Sequence, residues 1–210
     1  GYECVSLREL LDFVDDVGDL PEKPVILSFD DGYYNNMTYV LPLLIQYDCR
    51  AVIAVVGEYT ETYTLAPDPN PNYGYLSRDD LYALVLSGRV ELANHSFGMH
   101  TEKGRRGSGR KIGESDADYA RAFTSDVQKC QDLIHEATYS TALAYVYPFG
   151  VISDNSRSLL ATLGIRISLS CYESTSTITR GNLLCLYTLG RFNRPSGKST
   201  EEFFTSILDS

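Results

Sequence analysis

Two short segments carry residue types suited to hydrolytic chemistry: Phe29-Asp30-Asp31-Gly32 and His95-Ser96-Phe97-Gly98-Met99-His100. One carboxylate and two neutral imidazoles make a three-ligand set that leaves coordination positions open, as a catalytic divalent ion requires. The second carboxylate, unligated beside the ion, could take a proton from water as general base. Consecutive residues at a strand end point in different directions, so one Asp can ligate while its neighbour faces the water. Taken alone, Asp-Asp-Gly is a common turn, and a pair of loop histidines can simply hydrogen-bond to backbone. The chain has only three histidines, however, and two of them fall five residues apart at the end of an apolar run. The joint placement is what points to a site. His135, the third, reads as a surface or capping residue of a helix.

Positioning these groups requires elements that end where the motifs begin. From Pro24 onward, strand and helix signals alternate. Strands are expected over 25–29, 50–57, 90–94, 142–147, 165–171 and 183–189. Helices are expected over 35–47, from Ser77 to near Gly88, and over 115–137, 154–163 and 200–208. Pro42 bends or restarts the first of these, Ser77 caps the second, and Pro148-Phe149-Gly150 stops a strand. Residues 63–75, rich in Pro, Asn and Tyr, read as a loop. Such alternation implies a parallel sheet, open or closed into a barrel, with functional groups at the carboxyl ends of its strands.

Composition narrows the class. With 210 residues, 43% of them apolar and 22% charged, the chain fits one soluble domain with a sizeable core. Lys and Arg number 18 against 28 Asp and Glu, a formal charge of −10 that argues against nucleic acid as a partner. The apolar runs are strand-length, so no membrane span is expected. Cys4, Cys49, Cys130, Cys171 and Cys185 form no CxxC pair and read as buried thiols rather than zinc ligands. Tyr59, Tyr63, Tyr73 and Tyr75 could line a sugar-binding groove or pack their own loop. Lys103, Arg105, Arg106, Arg110 and Lys111 read as a solvated loop, with contact to an anionic wall polymer as the alternative.

Ser28-Phe29-Asp30-Asp31-Gly32, His95 to His100 and Tyr147-Pro148-Phe149-Gly150, in this order, resemble the first three motifs of the polysaccharide deacetylases of carbohydrate esterase family 4. The likeness covers residues 24–150 and extends weakly beyond. It implies an α/β fold, a distorted (β/α) barrel of about seven strands, with residues 1–210 forming a single, N-terminally trimmed catalytic domain. The implied activity is metal-dependent removal of acetyl groups from N-acetylated glycans: peptidoglycan, chitin-like chains or poly-N-acetylglucosamine. Zinc is the implied metal, with cobalt or nickel as substitutes. The implied protein is a monomer outside the cell or at the bacterial surface. By position, Asp30 would be the base, Asp31, His95 and His100 the metal ligands, and the Phe149 N–H an oxyanion donor. Tyr147, Pro148 and Arg191 would contact substrate, and Ser96 would support the histidine loop.

Three departures from the family pattern stand out. Val146 occupies the place where many members carry an Arg that orients the base. The chain has no Trp for the acetyl pocket. Leu189-Gly190-Arg191 stands where Leu-x-His supplies the general acid, and an arginine there can bind an oxygen or hold a carboxylate but cannot give up a proton. Either the acid comes from outside this segment, as the resemblance to the exported branch of the family, with a histidine upstream of Gly1, implies, or the protein is slow or inactive. Two other readings compete: a metal amidohydrolase for a small cyclic amide, and a carbohydrate-binding domain without turnover.

Overall fold

Alternation along one strand divides the molecule into layers. In the segment Ala51–Val55 every side chain is buried, and Val52 and Ala54 face one apolar cluster while Ala51, Ile53 and Val55 face another. A strand covered on both faces belongs to a parallel sheet clad by helices.

The structure, a computed structural model, describes residues 1–208. Its elements in chain order are β1 (Glu3–Cys4), α1 (Leu7–Val14), β2 (Pro24–Val25), β3 (Leu27–Phe29), α2 (Leu41–Gln46), β4 (Ala51–Val55), α3 (Gly57–Leu65), α4 (Arg78–Leu86), β5 (Val90–Asn94), α5 (Asp116–Thr138), β6 (Ala144–Val146), α6 (Ser156–Thr162), β7 (Ile167–Leu169) and α7 (Thr200–Leu208). Strands β3 to β7 pair in sequence order, all parallel, while β1 and β2 form a separate two-stranded sheet. The result is a curled, open half-barrel, a distorted form of the seven-stranded (β/α) barrel. A parallel bridge from Leu169 to Leu189 carries the pairing one segment beyond β7.

The concave face is filled by α1, which presents Leu7, Leu10, Leu11 and Val14 to Val52, Ala54, Ala93, Val146 and Leu169. These α1 positions fall at the i, i+3, i+4, i+7 spacing of one helix face. Ser6 and Glu9 cap it reciprocally, and the carboxylate of Glu91 on β5 accepts from the N–H groups of Leu7 and Arg8 at 2.6 and 3.2 Å. On the convex side, α4 and α5 cover β4 and β5, and α5 with α6 covers β6.

Several expectations are corrected. The expected first helix opens as a π-helical segment, Asn36–Val40, and becomes α-helical at Leu41 beside Pro42. Tyr59 and Tyr63 lie on α3 rather than in a loop. Residues 183–186 form a 3₁₀ turn capped by Asn182 instead of a strand. In the basic stretch Arg105 is buried and pairs with Glu114, Arg106 pairs with Glu102 and Arg110 with Asp116, while Lys103, Arg106, Arg110 and Lys111 are exposed as expected of a solvated loop. The five thiols are unpaired, with Cys130 in the core and Cys171 exposed. Among the described residues no helix is long and apolar enough to cross a membrane.

Candidate metal centre

The three motifs converge at the carboxyl ends of neighbouring strands: Asp30 and Asp31 after β3, His95 after β5, and Pro148-Phe149-Gly150 after β6. At each of these ends the chain turns through a left-handed conformation. Asp31 and Gly32 have φ of 71° and 70°, Ser96 has 71°, and Phe149 and Gly150 have 55° and 66°. Backbone in this region costs on the order of 1 kcal/mol or more for a residue with a Cβ, and it persists only where surrounding contacts hold it. At Gly32 a Cβ would come within 3.1 Å of Val55, so glycine also serves the close packing of this turn against β4.

Asp31, His95 and His100 point at one another. The Asp31 Oδ1 lies 3.1 Å from His100 Nε2 and 3.4 Å from His95 Nε2, and all three ligand atoms fall within 4.8 Å of each other. Burial alone would push the Asp31 carboxyl up, but hydrogen bonds from His100 and His95 outweigh it and hold the group well below the usual carboxylate range. His95 is buried, and its Nδ1 sits 2.7 Å from the Val146 carbonyl. A carbonyl only accepts, so Nδ1 carries a proton, and Nε2, which donates to Asp31 while protonated, is the nitrogen that can turn a lone pair to a cation once its own proton is lost. Position 146 thus serves through its backbone. His100 Nδ1 lies 3.4 Å from the Tyr59 hydroxyl, and its ring packs against that of Phe149 with centroids 4.5 Å apart.

Asp30 is held by Arg191. The guanidinium forms a fork, Nη1 to Oδ1 at 2.7 Å and Nη2 to Oδ2 at 2.9 Å, while its Nε donates to the Ser170 carbonyl at 2.8 Å. Burial would lower the arginine's pKa, but the carboxylate more than compensates and raises it. Of the two roles open to an arginine at this position, holding a carboxylate is the one the contacts with Asp30 display.

Tyr147 departs from the expectation. Residues 144 and 146 of β6 face the concave side, so 145 and 147 face the helices; Tyr147 is fully buried, with its hydroxyl 2.9 Å from Ser156 Oγ. Its ring is core and cannot touch a ligand. Pro148 is also buried, whereas Phe149 is exposed at the rim. The Ser96 hydroxyl is buried without a partner, so Ser96 supports the loop through its N–H, which donates to Asn94 Oδ1 at 2.9 Å. His135 is exposed near the end of α5 that leads toward the start of β6, away from the centre.

Reasoning from sequence missed Tyr59 as a partner of His100, because α3 shows no helical apolar stripe to announce its orientation. Of the four tyrosines, Tyr59, Tyr63 and Tyr75 pack together with Tyr33, while Tyr73 is exposed. Tyr75 lies 4.6 Å from Tyr33, 4.5 Å from Tyr59 and 5.3 Å from Tyr63, measured between ring centroids.

The chemistry of this donor set, two imidazoles and an ionised carboxylate, fits a divalent cation of the zinc type. Comparison with known proteins agrees with the geometry. The poly-beta-1,6-N-acetyl-D-glucosamine N-deacetylase of Escherichia coli K12 is 24% identical over 232 residues, covering 99% of this chain and 33% of that protein. The chain thus spans about a third of the length of that relative. Among solved structures, the BpsB deacetylase domain of Bordetella bronchiseptica is 25% identical with a TM-score of 0.73, over 90% of this chain and 79% of that one. A de-N-acetylase from Aggregatibacter actinomycetemcomitans shares the fold, with a TM-score of 0.80 at 22% identity over 99% of this chain and 84% of that one. The family model described as polysaccharide deacetylase matches residues 17–168, and the chain belongs to that family.

Proposed function

We propose that residues 1–210 act as the catalytic domain of a metal-dependent deacetylase that hydrolyses the acetamide of N-acetylglucosamine units in a glycan. The observation that carries this reading is the pairing of two different carboxylates on consecutive residues. Asp31 closes the ligand set with His95 and His100, while Asp30 stands beside it, held by Arg191. A bound sugar or a structural ion needs no such second carboxylate, so this feature favours turnover over simple binding.

Asp31, His95 and His100 would hold the cation, for which zinc suits the N, N, O donor set. When bound, the ion supplies Lewis acidity, polarising the acetyl carbonyl and acidifying water. Asp30 accepts the proton of the attacking water; a carboxylate offers about four lone-pair directions, so the Arg191 fork leaves acceptor capacity free. Arg191 fixes the orientation of that carboxylate, the task that an arginine at position 146 would otherwise perform. The backbone N–H of Phe149, at the left-handed turn on the rim, donates to the oxyanion as it develops.

The name of the Escherichia coli relative supports β-1,6-linked poly-N-acetylglucosamine as the polymer, and action at the cell surface or outside the cell goes with that reading. The test is deacetylation of β-1,6-linked N-acetylglucosamine oligomers by the protein stripped with chelator and then reloaded with Zn²⁺ or Co²⁺. Amine release that requires the metal and is lost in Asp30→Asn supports the reading. Metal-loaded protein that releases no acetate from these oligomers, from chitooligosaccharides or from peptidoglycan overturns it.

A further inference from the structure

The segment joining the two histidines is gripped from two sides. Ser96 and Phe97 present their carbonyls to α3, where the N–H groups of Gly57 and Glu58 donate at 3.0 and 2.9 Å. Contact is close: a Cβ on Gly57 would fall 2.4 Å from the Phe97 ring. On the other side stands α5, at the middle of which Asp126 accepts from Phe97 N–H at 2.9 Å through Oδ1 and from Gly98 N–H at 2.7 Å through Oδ2. Asn94 adds a bond from its amide to the Val127 carbonyl at 2.9 Å, and Lys129 holds its ammonium 3.6 Å from the centre of the Phe97 ring.

Asp126 is out of place on general grounds. It is a half-buried acid on a helix face packed against the sheet, where an ion is costly unless both oxygens are satisfied. Charge-assisted hydrogen bonds to backbone N–H groups are about twice as strong as neutral ones. Here the two of them fall on consecutive residues, 97 and 98, midway between His95 and His100. The Gly57 and Glu58 contacts alone leave the loop free to rock about α3; a second grip, from a different helix, removes that freedom.

We propose that Asp126 is a positioning residue for the metal centre, its carboxylate clamping the 97–98 backbone so that His95 and His100 meet Asp31 in binding geometry. This rests on the assignment of Asp31, His95 and His100 as ligands. The residue touches neither ligand nor substrate, and its role is to spare the loop the loss of freedom on binding the ion.

Cobalt titration of the full 210-residue protein tests it, read by the visible d–d bands of Co²⁺, with thermal unfolding measured in parallel. Asp126→Leu removes both acceptors and is expected to weaken Co²⁺ binding by about 10 to 100-fold and to alter the band pattern, as loss of outer-shell partners does. Asp126→Asn keeps one acceptor and should fall between. Leu133→Ala, which opens a cavity lower on the same helix at a residue in the core, should lower the unfolding temperature yet keep the wild-type affinity and spectrum. If Asp126→Leu does not fold, the near-isosteric Asn variant decides. Wild-type affinity and bands in the Asp126 variants, with the wild type itself binding Co²⁺, overturn this proposal alone. A wild type that takes up no Co²⁺ overturns the ligand assignment, and the clamp falls with it. Equal losses in Leu133→Ala and Asp126→Leu reduce Asp126 to a contributor to stability and also overturn the proposal.

Discussion

At the scale of single residues, neighbouring carboxylates are separated by what they face. Asp31 faces two imidazoles and Asp30 faces a guanidinium, so substitution should separate their effects. Replacing His95, His100 or Asp31 with Ala leaves two donors, and bound metal should fall below stoichiometric at neutral pH, as atomic absorption would show. Asp30→Asn should retain the metal while kcat drops by a factor on the order of 10²–10⁴, the usual worth of a general base. Arg191→Lys keeps the charge but loses the fork; metal content should stay at the wild-type value and kcat should fall about tenfold, with little change in KM. A KM effect without a kcat effect would return Arg191 to substrate binding. The two histidines and the Asp pair were legible in the sequence because histidine is scarce and each motif ends an apolar run, while the choice of Asp31 over Asp30 as ligand came from the family resemblance. The partner of Asp30 was not, since Arg191 lies 161 positions away and only the crossing of the sheet brings the two together. Tyr147 misled for the opposite reason: it sits inside a motif, but the two-residue period of β6 turns its ring toward the helices.

At the scale of elements, the alternation of strands and helices was readable where apolar runs were long and capped. Strand β5 and helix α5 fall within about a residue of the boundaries expected, α5 because Ser115 and the acids after it mark its start. Helix α1 carries an equally clear signal in Ser6-x-x-Glu9, but only tertiary contacts reveal that it plugs the concave face. Helix α3 lacks a periodic apolar stripe, and its Thr and Tyr residues are weak helix formers; it is held in place by the 96–97 carbonyls at its N-terminus. The 3₁₀ turn at 183–186 shows the limit of reading a short apolar run, which suits strand and helix alike. The loop from Thr101 to Glu114 depends on Arg105, whose guanidinium donates to the Gly109 carbonyl at 2.6 Å and pairs with Glu114. That hydrogen bond to Arg105 holds the Glu114 carboxyl below its usual range, against the opposing pull of burial. A depressed folded-state pKa means stability present above the unfolded value, about 4.3 for Glu, and lost as pH falls through the folded one. Glu114→Gln should therefore lower Tm at pH 7, and the gap from wild type should shrink steadily below about pH 4. A gap constant across that range would show that the pair contributes through packing rather than charge.

At the scale of the whole molecule, the half-barrel gathers groups from three strand ends and from the segment after the Leu189 bridge, yet it brings no further imidazole to them. The chain has three histidines; two lie in the ligand set, and His135 is exposed toward the opposite end of α5. Arginine stands at position 191, where it serves Asp30, and it cannot deliver a proton. Expulsion of an amine needs that proton, whereas a phenolate leaves without it. The metal-loaded 210-residue protein should thus hydrolyse 4-nitrophenyl acetate readily while cleaving acetamides slower by a factor on the order of 10²–10⁴ than a deacetylase with a histidine in that role. Across a series of aryl acetates, the rate should climb steeply as the leaving phenol becomes more acidic, because no group shares the developing charge. The Tyr59 hydroxyl lies 3.4 Å from His100 Nδ1, and Tyr59→Phe separates two cases. If the hydroxyl only steadies His100, the variant loses ester and amide turnover in the same proportion. A selective loss of amide cleavage, or a shallow leaving-group dependence in the unaltered protein, would mean that the site holds its own proton donor.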